Sequence, residues 1–177
     1  MKKMFLMTAA ATLFAGVASA QSMATTYSVT VTNNMAEELL APILITDAMN
    51  DAHIFKGDYV TAEAEEQILT GDPGKLAMRI GPDAMVGKGT DGPPGVLLAP
   101  GKSVTFEITT EATSVRVLSM VAPTMVPDNY VSNVVDLHAQ SMVATDLNRF
   151  DIGHDEGTMK NMALDETAPA TITFKKL

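Results

Sequence analysis

The stretch "TYSVTVTNN", residues 26–34, alternates strictly: Tyr27, Val29 and Val31 fall on one side, and Ser28, Thr30 and Thr32 on the other. Successive side chains of an extended chain point to opposite faces, so this period of two predicts a half-buried β-strand. The pattern returns in "KSVTFEITT", residues 102–110, with Val104, Phe106 and Ile108 inward and Ser103, Thr105 and Glu107 outward. It closes the chain in "ATITFKKL", residues 170–177, with Ile172 and Phe174 inward. Two further stretches, "LLAPILI" (39–45) and "SVRVLSMVA" (114–122), are apolar on both faces, as central strands of a sandwich are. Pro42 inside the first of these marks a bulge or a strand start, because proline cannot donate to a ladder.

One segment reads as a helix. In "YVTAEAEEQILTGD", residues 59–72, Val60, Ala64, Ile68 and Leu69 share a face, while Glu63, Glu65 and Glu66 lie outside it. Acidic residues in the first turns complement the helix dipole, and Gly71 is placed to end the helix. Residues 80–95, "IGPDAMVGKGTDGPPG", are dense in glycine and proline and predict a long loop. The fold class expected is therefore all-β: an antiparallel β-sandwich with one short helix, forming a single domain over residues 21–177.

Residues 1–20 are set apart from that domain. Lys2 and Lys3 precede an apolar run from Met4 to about Val17, followed by Ala18-Ser19-Ala20. This three-part pattern is that of a secretory signal peptide cleaved near Ala20, and its apolar run is too short for a membrane span. The expected location is secreted or periplasmic, with no membrane span in the mature chain. The 177 residues contain no cysteine, which excludes a disulfide scaffold, thiol catalysis and thiolate metal sites. A formal charge of −9 disfavours nucleic acid and anionic membranes as partners and suits cations or simple solubility.

Five stretches, taken in order, resemble the spondin N-terminal domain family in its bacterial stand-alone form. They are "YSVTVTNNMAEELLAPILI" (27–45), "IFKGDYVTAEAEEQILTGDPGKL" (54–76), "SVTFEI" (103–108), "VRVLSMVAPTMVPDNYVS" (115–132) and "FDIGHDEGTMKNMALDE" (150–166). The resemblance spans nearly all of residues 21–177. It implies a β-sandwich of C2-like character, a role in binding or adhesion to an extracellular or periplasmic protein or glycan, and a bound calcium ion. It implies no enzyme activity. The chain departs from the family at the tip, where Met125, Val126 and Pro127 stand between Thr124 and Asp128, and at Met159, which follows Thr158 where an acid is expected.

Calcium takes six to eight oxygen ligands, and C2-like sandwiches gather them from loops at one end. Two loops offer such oxygens: the tip with Asp128 and Asn129, and "FDIGHDEGT" (150–158) with Asp151, Asp155 and Glu156. Ordinary turn chemistry, with Asp and Asn side chains bonding local backbone, accounts for the same residues equally simply. The deciding question is whether the two loops meet. A second reading uses the methionines: Met120, Met125, Met159 and Met162 with His138 or His154 would suit a soft ion such as Cu(I) in a periplasm, although methionine is also a good core filler. A third class is a small extracytoplasmic hydrolase. The only histidines are His53, His138 and His154, and HExxH, GxSxG and P-loop patterns are missing from the sequence, so the chain is read as non-catalytic.

Overall fold

The computed structural model describes residues 23–122, 128–138 and 140–177. The expected leader (1–20), the prolines 123 and 127, and Met125 lie outside the described residues. In chain order the strands are β1 (Thr25–Asn33), β2 (Leu39–Leu40), β3 (Ile43–Asp47), β4 (Phe55–Lys56), β5 (Tyr59–Val60), β6 (Met85–Gly87), β7 (Ser103–Thr110), β8 (Ser114–Ala122), β9 (Asn129–Asp136), β10 (Met142–Asp151), β11 (Met162–Ala163) and β12 (Ala170–Lys176). The helices are α1 (Ala62–Thr70) and α2 (Gly74–Ile80), with a 3-10 turn over Ala48–His53.

The main strands run β6-β3-β8-β9-β10-β12-β1-β7 and pair antiparallel throughout. Strand β10 makes the corner. Met142 to Leu147 pair with β12, whereas Asn148 to Asp151 pair with β9, so one strand passes from the first layer into the second. The other side nearly closes where β6 approaches β7. There the Phe106 ring packs on Gly87 so tightly that a Cβ on Gly87 would fall 2.1 Å from it.

The alternating stretches behave as their pattern demands. Tyr27, Val29, Val31, Ile108, Ile172 and Phe174 are buried between the layers, with Val104 and Phe106 packed against them. Each fully buried aliphatic side chain contributes about 1.5–3 kcal/mol, so this row is a large part of what drives the layers together. Outward-facing hydroxyls pair across β1 and β7, as in Thr30 with Thr105 at 2.8 Å.

The stretches apolar on both faces have a different cause from the one the sequence suggests. Ile43, Ile45, Val115 and Val117 face the opposite sheet, while Leu44 and Leu118 face away from it. The outward pair is covered by a helical layer: Ile54, Ala64, Ile68, Leu76 and Ile80 form a second core against them. The molecule is thus a sandwich with helices on one outer face, and it has two α-helices and a 3-10 turn instead of the single helix expected.

Helix α1 matches its prediction from Ala62 onward, whereas Tyr59 and Val60, expected on the helix, form strand β5. Thr61 caps it by accepting from the Ala64 amide, and Gly71 ends it in the left-handed conformation at φ 76°. Helix α2 is the surprise. Asp72 Oδ1 accepts from the Gly74 amide at 2.9 Å, and only Leu76 and Ile80 are buried. Seven residues with two apolar positions carry too little periodicity to be read, and contact with the second core supplies the stability instead. The expected loop over residues 80–95 also contains β6, which pairs with β3. Pro42 sits in the break between β2 and β3, clear of the ladder.

Candidate metal centre

Antiparallel pairing puts the first residue of β9 opposite the last residue of β10: Asn129 faces Asp151 and Tyr130 faces Phe150. Both acidic loops therefore emerge at one end of the sheet. The Tyr130 and Phe150 rings stack beneath, with centroids 5.2 Å apart. Tyr130 Oη donates to Asn161 Oδ1 at 2.8 Å, and burial raises its phenol well above the ordinary value. This contact ties the far side of the 151–161 segment to the second core.

The turn after β10 is shaped by local hydrogen bonds. Gly153 donates its amide to Asp151 Oδ1 at 2.6 Å and adopts φ 65°. A Cβ there would lie 2.1 Å from Thr158 Oγ1, so both its dihedral and its surroundings require glycine. The chain folds back, with Met159 donating its amide to Gly153 O at 2.9 Å. Asp155 and Glu156 thereby arrive beside the start of β9, and the Asp155 amide approaches Asp128 Oδ2 at 3.4 Å.

Asp128, Asp151, Asp155 and Glu156 each place a carboxylate oxygen within 4.8 Å of the others. Asp128 is 2% exposed, Asp151 is half-buried, and Asp155 and Glu156 are exposed. None of the ion pairs among the described residues involves these four. Four carboxylates crowded without a cation repel one another, and Glu156 shows it. Its hydrogen bond with Asp155 raises its pKa above the ordinary Glu value, while the same bond lowers that of Asp155. A proton on Glu156 relieves the repulsion; so would a cation. An all-oxygen donor set suits hard ions such as calcium rather than soft ones. The cluster is able to hold a metal ion.

Asn129 has a different role from the ligand role expected of it. Its Oδ1 accepts from Arg149 Nε at 2.8 Å, and its Nδ2 donates to Asp128 Oδ1 at 2.9 Å and to Asp151 Oδ2 at 3.2 Å. Because arginine only donates, the amide oxygen is turned away from the carboxylates. Asn129 braces the two acids. Arg149 itself is held by Glu38, bidentate at 2.7 and 2.9 Å, and by Glu166 at 2.9 Å. These contacts raise its pKa further, Glu38 being the larger cause. Glu38 is positioned in turn by Asn33, whose fully buried amide donates to Glu38 O and Leu98 O.

Sequence reasoning missed Arg149, Glu38 and Glu166. Glu38 is 111 residues from Arg149 in the chain, and no local pattern marks that pair. Of the described members of the methionine–histidine set, His154 lies in the same 151–162 segment as Met159 and Met162, whereas His138 stands apart from them. Met120 is buried opposite Tyr130, Met159 and Met162 are surface residues of the 151–162 segment, and His138 follows the far end of β9. An eight-residue strand is about 26 Å long, so His138 stands far from the other candidates. Among the described residues no helix is long and apolar enough to cross a membrane. Comparison of the chain with protein-family models and with curated proteins finds no match.

Proposed function

We propose that this protein is a secreted or periplasmic, non-catalytic binding or adhesion domain of the spondin-like type, assisted by a calcium ion. The ion is held by Asp128 from the β9 side and by Asp151, Asp155 and Glu156 from the β10 side. The observation that carries this reading is the meeting of the two acidic loops within 4.8 Å of one another. Calcium accepts carboxylates, carbonyls and waters at 2.3–2.6 Å in flexible geometry, so exposed Asp155 and Glu156 leave room for water to complete its shell. By clamping two loops at one end, calcium would fix the surface presented to an extracellular protein or glycan.

The test is thermal unfolding with calcium and with EDTA. Calcium raises the Tm of the wild-type chain, and Asp151→Ala and Asp155→Ala each lose that shift. Indifference of the wild type to millimolar calcium overturns the metal part. Retention on an immobilised glycan or matrix protein that EDTA reduces supports the calcium-assisted binding.

A further inference from the structure

Strand β7 has a partner on one edge only. Among the described residues it pairs with β1, and no ladder joins it to β6. The direction of its free backbone groups follows from the bonds that β1 makes. Asn33 donates its amide toward β7, to Lys102 O at 2.9 Å. On the β12 side, Asn34 donates to Pro169 O, and Thr26 O accepts from the Leu177 amide. Backbone groups alternate in direction along a strand, so the odd-numbered residues of β1 serve β7. Their register partners Val104, Phe106, Ile108 and Thr110 therefore point at β1. The amides and carbonyls of Ser103, Thr105, Glu107 and Thr109 point outward, and all four residues are exposed.

That open edge runs into a cavity of about 390 Å³, where the end of β7 faces the segment leading into β6. Thr109 and Thr110 line it on one side, with Asp47, Asp83, Met85 and Glu111 around them. Three carboxylates are in its walls and no lysine, arginine or histidine is. Asp47 and Asp83 take part in no ion pair among the described residues. The cavity lies at the opposite end of β9 from the candidate metal centre. Asp47 pairs with Val115, and Val115 with Val135 near the end of β9, whereas Asp128 stands before its start. From Asn129 to Val135 the strand rises about 20 Å.

An exposed edge is a template for a further strand. In strand addition the main chain supplies affinity and flanking pockets supply selectivity. Here the flanking pocket is acidic, so the complementary side chain is basic. We infer that β7 accepts an extended peptide segment of a partner protein as an added strand, with a lysine or arginine of that segment seated in the acidic cavity. Thr105, Glu107 and Thr109 supply the ladder hydrogen bonds, and Asp47, Asp83 and Glu111 supply the charge. The site makes no use of the calcium reading and stands or falls apart from it.

Titration calorimetry of the full chain with the acetylated and amidated peptide Thr-Val-Lys-Val-Thr-Val tests this. Saturable one-to-one binding is expected, equal in calcium and in EDTA. Glutamate in place of the peptide's lysine weakens it by about tenfold or more, the worth of one charge-assisted hydrogen bond. Glu107→Pro removes an outward amide that β1 does not use, a change that edge strands tolerate, and weakens both peptides. Asp83→Lys reverses one wall of the cavity and weakens the lysine peptide alone. Circular dichroism of each variant distinguishes lost binding from lost fold. Absence of saturable binding, equal binding of the two peptides, or binding that Glu107→Pro and Asp83→Lys leave unaltered overturns the inference. A dimer in sedimentation that Glu107→Pro dissociates also overturns it, because a second copy then holds the edge.

Discussion

Arg149 donates through Nε to Asn129 Oδ1 at 2.8 Å, and this contact decides which end of the amide faces the acidic cluster. With its oxygen held, Asn129 has only its NH2 to offer Asp128 and Asp151. The brace extends from the cluster to Glu38 and Glu166, on segments remote in sequence.

Removing the guanidinium leaves Glu38 without its partner and frees the Asn129 amide. The Arg149 side chain is only 12% exposed, so water replaces it poorly. Arg149→Met is expected to destabilise the protein by about 3 kcal/mol, the range for breaking a largely buried pair. Urea denaturation measures it, and a loss below about 1 kcal/mol, as for a surface ion pair, contradicts the role assigned to Arg149.

Asn129→Asp keeps an oxygen for Arg149 but replaces the bracing donor with a further negative charge. In EDTA the variant is expected to lose about 1–3 kcal/mol, the cost of leaving buried polar partners unmatched. Calcium should recover a larger share of Tm in this variant than in the wild type. Equal Tm deficits with and without calcium would separate Asn129 from any ion site.

Acidity gives a third check. Glu156 has a raised pKa in the fold, so its stabilising contribution is full below its unfolded value and is lost as pH rises through the folded one. Asp155 has a lowered pKa, so its contribution is present above its unfolded value and is lost as pH falls through the folded one. In EDTA the pair's combined contribution therefore peaks between 3.8 and 4.5, the ordinary Asp and Glu values. Glu156→Gln should flatten the alkaline side of a Tm–pH profile; an unchanged profile rejects the coupling. Calcium requires both groups ionised, so its Tm shift should shrink on acidification.

Gly87→Ala tests the closure between β6 and β7. A Cβ at Gly87 meets the Phe106 ring at 2.1 Å, so the ring must move or the strands must part. The expected loss is about 1–3 kcal/mol, as for overpacking. Adding Phe106→Leu should recover part of it. Strict additivity of the two changes in a double-mutant cycle would show that they do not meet.

Gln67 in α1 is fully buried, and neither Oε1 nor Nε2 has a partner among the described residues. Gln67→Met keeps the length of the side chain and removes both unsatisfied groups. A gain of about 1–3 kcal/mol is expected from chemical denaturation; a loss would mean that the amide is satisfied in solution.

The strands at either end of the chain and the face each buries were legible in the sequence, because side-chain alternation is a local property of an extended backbone. Helix α1 was legible through its apolar face, its acidic first turns and Gly71, whereas its Thr61 cap emerged only from the structure. The acids of the candidate centre were also visible, since Asp, Gly and Asn mark turns, although turn chemistry and metal binding use the same residues. Helix α2 and strand β6 were not legible: each is too short to carry a period and is held by its neighbours. The double-faced burial of Leu44 and Leu118 was visible as composition, but its cause, a helical layer, was not.

Sequence alone thus determined the alternating strands, the cysteine-free acidic character and the two acidic loops as separate features. Only the tertiary structure decided that β9 and β10 set those loops side by side and that Arg149 turns Asn129 into a brace. Each of these depends on contacts between residues distant in the chain. Such contacts are set by strand register and by closure of the two layers, and no local pattern of residues encodes them.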